Sequence, residues 1–355
     1  MADDKPQGDP ASLGIPPLLD HLNAITSNPS TPLEKPLFEK VLNELAFYNL
    51  PFPTNQQTYH TLLTHLIATL PILTTDDSVR TVTTLIDALL TRMPIRAVLS
   101  FIPPPMLIAA LSAPHPAANL LGMTIIKRAE GPEGVSAVLR RDVVDALVER
   151  WMGAEAVEVG QRGEEALLNL LEGTRTDLVG ATKRLSLEDM VNGDAGAKPE
   201  LDIWDDVLRG PSAVAIVEAC VNNDDERQAS LSQNRLLALL PRVARLDFDA
   251  LVSTAIPRRP AHSNTLLQMA IEMVDRDDVA MYLVLVQFYK DLFRDVYEVV
   301  GSNPGTRTRF EGFVRGKRGD TALVRAVGEL RREVQADEEL NGFGEWITSV
   351  VGTGS

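Results

Sequence analysis

The sequence predicts an all-α protein built as an array of helical repeats. Of its 355 residues, 45% are apolar and only 5% are aromatic, which favours helices packed on helices over sheets. Apolar residues recur at a three-four spacing in segments roughly fifteen to twenty residues apart, separated by Pro, Gly, Asp or Asn. No sustained alternation of period two occurs, so no strand is predicted.

The clearest unit is a helical hairpin in residues 101–130, FIPPPMLIAALSAPHPAANLLGMTIIKRAE. Pro105 suits the first turn of one helix and Pro116 the first turn of the next, because proline lacks an N–H and its φ is already helical. Lys127 and Arg128 fall in the last turn of the second helix, where the helix dipole favours positive charge. A hairpin of about thirty residues cannot bury both apolar faces alone, so it predicts similar neighbours to stack on.

The residues before this hairpin repeat the pattern. The first helix is predicted to begin near Ile15, and Pro36 lies in the first turn of the second. Thr54 suits the cap of a third helix and Asp76 opens a fourth. A short helix after Pro94 leads into the hairpin.

Shorter helices are predicted after the hairpin. Residues 131–153 give two amphipathic segments, and EEALLNLLEG and TDLVGATKRL give two separate helices. IWDDVL is predicted to be a short helix anchored by Trp204. Pro241 lies inside a later segment and is expected to end or kink that helix.

The recurrence of helical segments is interrupted once, and this interruption predicts the domain organisation. Residues 1–12 are interpreted as a disordered acidic leader, followed by an N-terminal helical-repeat lobe over 13–190. Residues 191–199 contain Gly, Pro and acidic residues, and they predict a surface loop. The C-terminal helical-repeat lobe then spans 200–355 and continues the first.

Residues Asp277–Val300 form the longest helical pattern. Its polar positions form one narrow stripe, made of Gln287, Lys290, Asp291, Arg294, Asp295 and Glu298. Nearly every other position is apolar, which predicts a helix buried on most of its circumference. Three further segments, centred on Phe313, Val327 and Trp346, are predicted to close the array.

Composition also limits the partners. A formal net charge of −15 and a pI of about 4.8 repel phosphate backbones and anionic membranes, so neither is an expected partner. The single cysteine, Cys220, lies in an apolar run and predicts a buried, inert thiol in a reducing compartment. No signal peptide is recognisable, and the longest apolar run, Val279–Val286, is too short to span a bilayer. These features predict a soluble protein of the cytoplasm, with the nucleus as a second compartment.

No pattern predicts a catalytic residue, a cofactor site, a metal site or a small-molecule substrate. His60 and His65 lie about 140° apart around a helix, so they cannot form a facing zinc-binding pair. GFVRGKRGDT lacks the first glycine and the Ser or Thr of a phosphate loop. His115, between two prolines, is expected to be solvated or to cap a helix. The acidic loop residues of Asp202–Glu226 are likewise expected to be solvated.

One basic patch stands out in this acidic sequence, made of Arg307, Arg309, Arg315, Lys317 and Arg318. Two interpretations remain open for it: a solvated helix end, and a docking site for an acidic segment of a partner protein. Residues 318–320 also spell RGD, a match that is expected by chance in a cytosolic chain.

Two stretches resemble a known family. IPPPMLIAALSAPHPAANLLGMTIIKRA, residues 102–129, resembles the repeat of the HEAT/ARM-type proteasome base-assembly chaperones, in which a small-Pro-His-Pro turn joins two helices. MYLVLVQFYKDLFRDVYEVVGSNPGTRTRFEGF, within Asp278–Phe313, resembles the carboxyl-terminal region of that family. The resemblance implies a HEAT/ARM-like solenoid, a curved superhelix, that holds the C-terminal domain of one ATPase subunit of the 26S proteasome base during assembly. It also implies a non-catalytic function.

The resemblance transfers no binding residue, so the candidates come from the sequence itself. They are the polar stripe and the basic patch, because a groove needs polar residues on rigid helices to orient a partner. The partner-binding candidates are Gln287, Lys290, Arg294, Glu298, Arg307, Arg309, Arg315 and Lys317. A solvated face is the competing interpretation of the stripe. Two other functions remain open: an adaptor in DNA repair, because fungal members of the family carry a mismatch-repair label, and an adaptor in nuclear transport or vesicle coats.

Overall fold

The computed structural model describes residues 14–48, 55–129, 131–185, 202–221, 225–253, 256, 265–301, 303–336 and 341–351. Helices account for the regular structure of these ranges, and no β-strand occurs in them. The prediction of an all-α fold is therefore confirmed. The leader predicted for residues 1–12 and the loop predicted for residues 191–199 lie outside the described residues.

The helices of the first half are α1 (Ile15–Ser27), α2 (Lys35–Phe47), α3 (Gln56–Thr69), α4 (Asp76–Leu90), α5 (Ile95–Phe101), α6 (Pro104–Ser112), α7 (Pro116–Lys127), α8 (Gly131–Val138) and α9 (Arg141–Gly153). Those of the second half are α10 (Val157–Leu185), α11 (Ile203–Leu208), α12 (Pro211–Val221), α13 (Glu226–Ser253), α14 (Leu266–Glu272), α15 (Val279–Val300), α16 (Pro304–Gly316), α17 (Thr321–Ala336) and α18 (Asn341–Val351).

Backbone contacts divide the chain into two compact units, one ending at Leu147 and the other beginning at Val148. The sequence predicts two lobes at residues 13–190 and 200–355, because the acidic stretch between these ranges lacks an apolar stripe. The division between the units lies inside α9, which the sequence pattern presents as one uninterrupted amphipathic segment.

In the first unit, helices contact neighbours one, two or three places along the chain. α1 packs on α2 and α3, α2 and α3 both pack on α4, α3 also contacts α5, and α4 packs on α7. Their three-four apolar stripes supply the core, in which several side chains are fully buried: Leu18, Leu22, Leu62, Leu66, Val82 and Ile86. The helices of this unit therefore bury their apolar faces against one another.

The Pro-His-Pro hairpin is held together by Asn119, which is buried on α7. Its side-chain amide nitrogen lies 2.9 Å from each of the carbonyl oxygens of Ala110, Leu111 and Ala113, at the end of α6. The last carbonyls of a helix lack the N–H donors of a following turn, and the amide supplies donors at this helix end. This bond fixes the end of α6 against the first turn of α7.

In the second unit, four helices form a parallel row of α10, α13, α15 and α17, each packed on the next. Arg245 of α13 lies opposite Glu298 of α15. The pairs Lys290–Glu329 and Arg294–Glu333 advance together along α15 and α17, so those two helices run in the same direction. Within the row, α13, α15 and α17 are next-but-one neighbours in the chain, whereas α10 and α13 are separated by two helices.

Arg235 of α13 is buried and caps the C-terminal end of α9. Its guanidinium donates to the carbonyl oxygens of Trp151 and Met152, both at 2.9 Å, and to that of Ala154. Burial lowers the pKa of this guanidinium. The helix end favours positive charge, and the three carbonyl acceptors compensate for the loss of water.

Two glycines let α10 lie close to this cap. A Cβ at Gly160 would lie 2.5 Å from Nε of Arg235, and a Cβ at Gly163 would lie 2.9 Å from Cβ of Trp151. Arg235 is held by its carbonyl acceptors, and Trp151 is fully buried. Neither neighbour can move aside easily, so the close approach requires glycine at both positions.

Several details differ from the sequence predictions. The segments EEALLNLLEG and TDLVGATKRL belong to one helix of 29 residues, α10. α10 is also longer than the 22-residue α15, which the pattern had presented as the longest. The cap predicted at Thr54 lies outside the described residues, and Asn55 is the N-cap of α3.

The helix containing Pro241 is interrupted at a different residue from the one predicted. α13 continues through Pro241, and the non-helical backbone is at Asp247, with φ −154° and ψ 86°. The carboxylate of Asp247 accepts a hydrogen bond from the N–H of Ala250 at 2.9 Å, so it caps the helical turns that follow. A local capping residue, rather than the proline, decides where the helix is interrupted.

No single helix among the described residues is both long enough and apolar enough to cross a bilayer. The bent pair α5 and α6, with 76° between them, meets the criteria of length and composition only when the two helices are taken together.

The variant Gly163→Ala tests the close contact between α10 and Trp151. Overpacking a buried contact of this kind is expected to lower the free energy of unfolding by about 1–3 kcal/mol, measured by denaturant titration. Gly312→Ala is the matched control, because a Cβ there meets nothing within 4 Å and alanine favours a helix by up to about 1 kcal/mol. Equal stability of the two variants would contradict the contact.

The variant Arg235→Met tests the cap on α9. Methionine keeps an apolar stem but removes the donors, leaving the buried carbonyls of Trp151 and Ala154 without the guanidinium. We expect a loss of about 2–4 kcal/mol in the free energy of unfolding. Arg242→Met on the same helix removes only an ion pair whose arginine side chain is 51% exposed, and should cost less than about 1 kcal/mol. A similar cost for both variants would refute the capping role.

Candidate functional site

The parallel row carries an ion-pair ladder on its solvent-facing side. The ladder crosses α10, α13, α15 and α17 and consists of Glu164, Arg242, Arg245, Glu298, Arg294, Glu333, Lys290 and Glu329. Glu164 pairs with Arg242 at 2.8 Å, and Arg245 pairs with Glu298 at 3.0 Å. Because the helices are parallel and in register, polar positions of one helix meet those of the next.

The polar stripe predicted on α15 forms the middle of this ladder, but its members differ in exposure. Lys290 is buried and lies 2.6 Å from Glu333 and 3.4 Å from Glu329, so α17 covers it. Gln287 is exposed and donates to Asp291 at 2.8 Å. Arg294 and Glu298 are exposed as well, so Gln287, Arg294 and Glu298 are the stripe candidates that a partner could contact.

The ion pairs between α15 and α17 lower the pKa of the α17 carboxyls. The hydrogen bond from Lys290 lowers the pKa of Glu333, and Arg294, 2.6 Å away, contributes in the same direction. The hydrogen bond from Arg325 lowers the pKa of Glu329. These two carboxylates therefore remain charged and matched by bases.

Asp295 is the exception on this face. Burial raises its pKa, and the nearby carboxylates Asp291 and Glu298 raise it further, against the opposing effects of Arg245 and Arg242. A carboxyl pKa raised chiefly by burial means that the fold disfavours the ionised form at this position. The half-buried Asp295 therefore lowers the stability of the folded chain when it is ionised.

A groove of about 370 Å³ opens at the end of the ladder, between α15, α17 and α18. It is lined by Arg294, Tyr297, Glu298, Leu330, Glu333, Val334 and Phe343. The aliphatic and aromatic side chains form the floor, and the charged ones form the rim. Two residues of the predicted stripe, Arg294 and Glu298, therefore belong to the same site.

Aromatic packing holds the floor of the groove in place. The ring of Tyr297 lies 5.0 Å from that of Phe343 and 5.3 Å from that of Trp346. Trp346 in turn packs against Phe293 at 5.7 Å and stacks on Phe310 at 5.4 Å. Such ring contacts fix side-chain orientation in addition to burying apolar area.

The glycines of α18 bring that helix close to the groove. A Cβ at Gly344 would lie 2.6 Å from Cγ1 of Val334, and one at Gly342 would lie 3.2 Å from the hydroxyl of Tyr297. Tyr297 and Phe343 are not among the site residues predicted from the sequence, because their spacing is that of ordinary core positions. The NGFG sequence at residues 341–344 is the signal that could have indicated a close approach.

The basic patch lies on α16 and the loop after it, and none of its residues lines the groove. Arg307 pairs with Glu311 at 2.9 Å. Other members of the patch bind more distant residues: Arg309 pairs with Asp249 at 2.5 Å, Lys317 with Glu272 at 3.5 Å, and Arg318 donates to the carbonyl of Val351 at 3.2 Å. Arg315 is exposed on α16. Most of the patch is therefore engaged within the protein.

The RGD sequence is not displayed for recognition, because Asp320 is buried. Its carboxylate accepts hydrogen bonds from the hydroxyl of Tyr289 and from Arg276, each at 2.8 Å, and from the N–H of Ala322 at 2.9 Å. Burial, together with the charge of Asp320, raises the pKa of Tyr289. Asp320 therefore anchors α17 to α15.

Other predicted features have structural roles. Cys220 is buried, and burial raises the pKa of its thiol to about 12, which confirms the prediction of an inert thiol. His115 lies 2.6 Å from Asp76 and makes no cap bond to α7, so it is neither fully solvated nor a capping side chain. Asp206, expected to be solvated, is buried and accepts a hydrogen bond from Ser212 at 2.5 Å. In the described ranges, no group of three or more His, Cys, Asp or Glu side chains is placed to hold a metal ion.

No family model matches this sequence, and no curated protein matches it significantly.

The variant Asp295→Asn tests whether the ionised form of the half-buried Asp295 lowers stability. Because the folded-state pKa is raised, the contribution of Asp295 to stability falls as pH rises through the interval between the ordinary aspartate pKa and the folded one. At neutral pH the cost of the ionised form is complete, so the neutral asparagine should raise the melting temperature. The gain should shrink when the pH is lowered below the ordinary aspartate pKa.

Asp277→Asn is the control for this variant, because Asp277 is exposed in the loop before α15 and its replacement should change stability little. A melting temperature for Asp295→Asn that is unchanged or lower at neutral pH would contradict the destabilising effect of the ionised Asp295.

Proposed function

We propose that this chain is a HEAT/ARM-type helical-repeat protein that acts as a non-catalytic assembly chaperone of the 26S proteasome base. In this proposal it binds the C-terminal domain of one ATPase subunit of the base while the regulatory particle assembles, and it is not retained in the mature particle. It contributes binding energy and steric protection rather than chemistry. The proposal places it in the cytoplasm or the nucleus.

The packing of each unit supports the helical-repeat part of the proposal. Helices stack on their next-but-one neighbours, as in α1 on α3 and α13 on α15. Stacked helical repeats pack in this way because each two-helix unit buries its apolar face only against its neighbours. The Pro-His-Pro hairpin α6–α7, which carries the family resemblance, is one such two-helix unit.

Partner binding, the second part of the proposal, is supported by the groove at the end of the ion-pair ladder. It combines an apolar floor, including a Tyr297 side chain that is 37% exposed, with a charged rim on neighbouring helices. Protein interfaces are built in this way, with an apolar centre surrounded by polar groups. The second stretch of family resemblance, within Asp278–Phe313, contains α15, which forms one wall of the groove.

A binding assay tests the proposal. The purified chain would be titrated by calorimetry with the recombinant C-terminal domain of each ATPase subunit of the proteasome base. We expect one domain to bind with a Kd of about 1 μM or tighter, corresponding to about −8 kcal/mol. The same ATPase subunit without its C-terminal domain serves as the control and should not bind. Failure of every C-terminal domain to bind at about 100 μM would refute this function.

A further inference from the structure

The size and composition of the groove indicate what it can hold. About 370 Å³ lies near the lower end of the range for small binding pockets. The floor side chains Leu330, Val334 and Phe343 are nearly buried, at 1%, 8% and 7% exposure, so only a narrow apolar surface faces outward. These dimensions suit one large apolar side chain better than an entire helix.

The charges around the groove indicate what should lie beside that side chain. Both carboxylate oxygens of Glu333 are already engaged, one by Lys290 and the other by Arg294. Glu298 uses only its Oε2 atom in the pair with Arg245, and its side chain is 56% exposed. Glu298 is therefore the rim carboxylate with acceptor capacity that can still face a ligand.

The charges around Glu298 and the net charge of the whole chain are also negative. Glu298 lies one helical turn after Asp295, where burial and neighbouring carboxylates raise the carboxyl pKa despite two arginines. The whole chain carries a formal net charge of −15. A cation brought to this end of the groove would reduce the repulsion among the α15 carboxylates, whereas an anion would increase it.

We propose that the groove receives one large apolar side chain of the partner protein and that a lysine or arginine next to it in the partner pairs with Glu298. This inference rests on the proposed function, since the partner is the ATPase C-terminal domain that binds the chain. An apolar anchor in a preformed pocket, with a charged pair at the edge, is the arrangement in which a few residues carry most of the binding energy.

Two variants and their controls test this inference by titration with the ATPase domain that binds the wild-type chain. Tyr297→Ala should weaken binding about tenfold or more, and Tyr297→Phe, which keeps the ring, should bind as the wild type does. Leu283→Ala is the matched apolar control: Leu283 is 44% exposed on the same helix, roughly 20 Å along it from Tyr297. It should leave the Kd unchanged.

The charge variant is Glu298→Lys, which should weaken binding about tenfold, with the loss becoming smaller at high salt. Its control is Glu272→Lys, because Glu272 is also an exposed glutamate paired with a base, Lys317, and does not line the groove. Replacement of the responsible partner lysine or arginine by glutamate should restore binding to Glu298→Lys. Circular dichroism and melting temperatures establish that each variant is folded.

The outcomes separate the two proposals. If the wild-type chain binds an ATPase domain and the folded Tyr297→Ala and Glu298→Lys variants bind it equally well, the groove inference is refuted and the proposed function stands. If no ATPase domain binds the wild-type chain, both are refuted. If sedimentation shows that the chain dimerises and that Tyr297→Ala abolishes the dimer, a second copy occupies the groove and the inference is wrong.

Discussion

The unpaired carbonyl groups at helix C-termini constrain how this chain packs. Each helix ends in carbonyls that its own backbone cannot satisfy, and several of these ends are buried. Side chains of other helices supply the donors: Asn119 for α6, Arg235 for α9, and Gln233, which donates to Cys220 at 3.1 Å, for α12. Apolar stripes would allow helices to slide against one another, whereas these bonds are lost on displacement. They therefore fix which helix end meets which neighbour.

The ion-pair ladder forms on the solvent-facing side of the parallel row because the helix ends are fixed. Since α13, α15 and α17 are parallel and in register, their polar stripes face each other and form these ion pairs. Exposed pairs of this kind each contribute at most about 1 kcal/mol, so the ladder depends on the packing beneath it rather than producing it. Its acidic and basic members are equal in number, and Asp295, whose carboxyl pKa is raised chiefly by burial, lies one helical turn before Glu298 at the groove.

The sequence predicted local features well, because they depend on neighbours in the chain. The starts of α6 and α7 follow proline chemistry, and α15 begins after Asp278, whose carboxylate accepts N–H bonds from the first turn. Features that depend on other helices were missed. Lys290 appears polar and accessible in the pattern, but α17 buries it among carboxylates. The sequence also predicted an interruption at Pro241, whereas the helix continues through the proline and is interrupted at Asp247.

The groove, like the helix ends, depends on specific residues that let two helices approach closely. Gly344 allows α18 to reach Val334, and the rings of Phe343 and Trp346 then hold Tyr297 from one side. A floor assembled in this way is ordered before any partner arrives, so binding costs little additional side-chain entropy. Because Tyr297 is both ordered and partly exposed, the groove can offer a partner an apolar contact at a low cost in side-chain entropy.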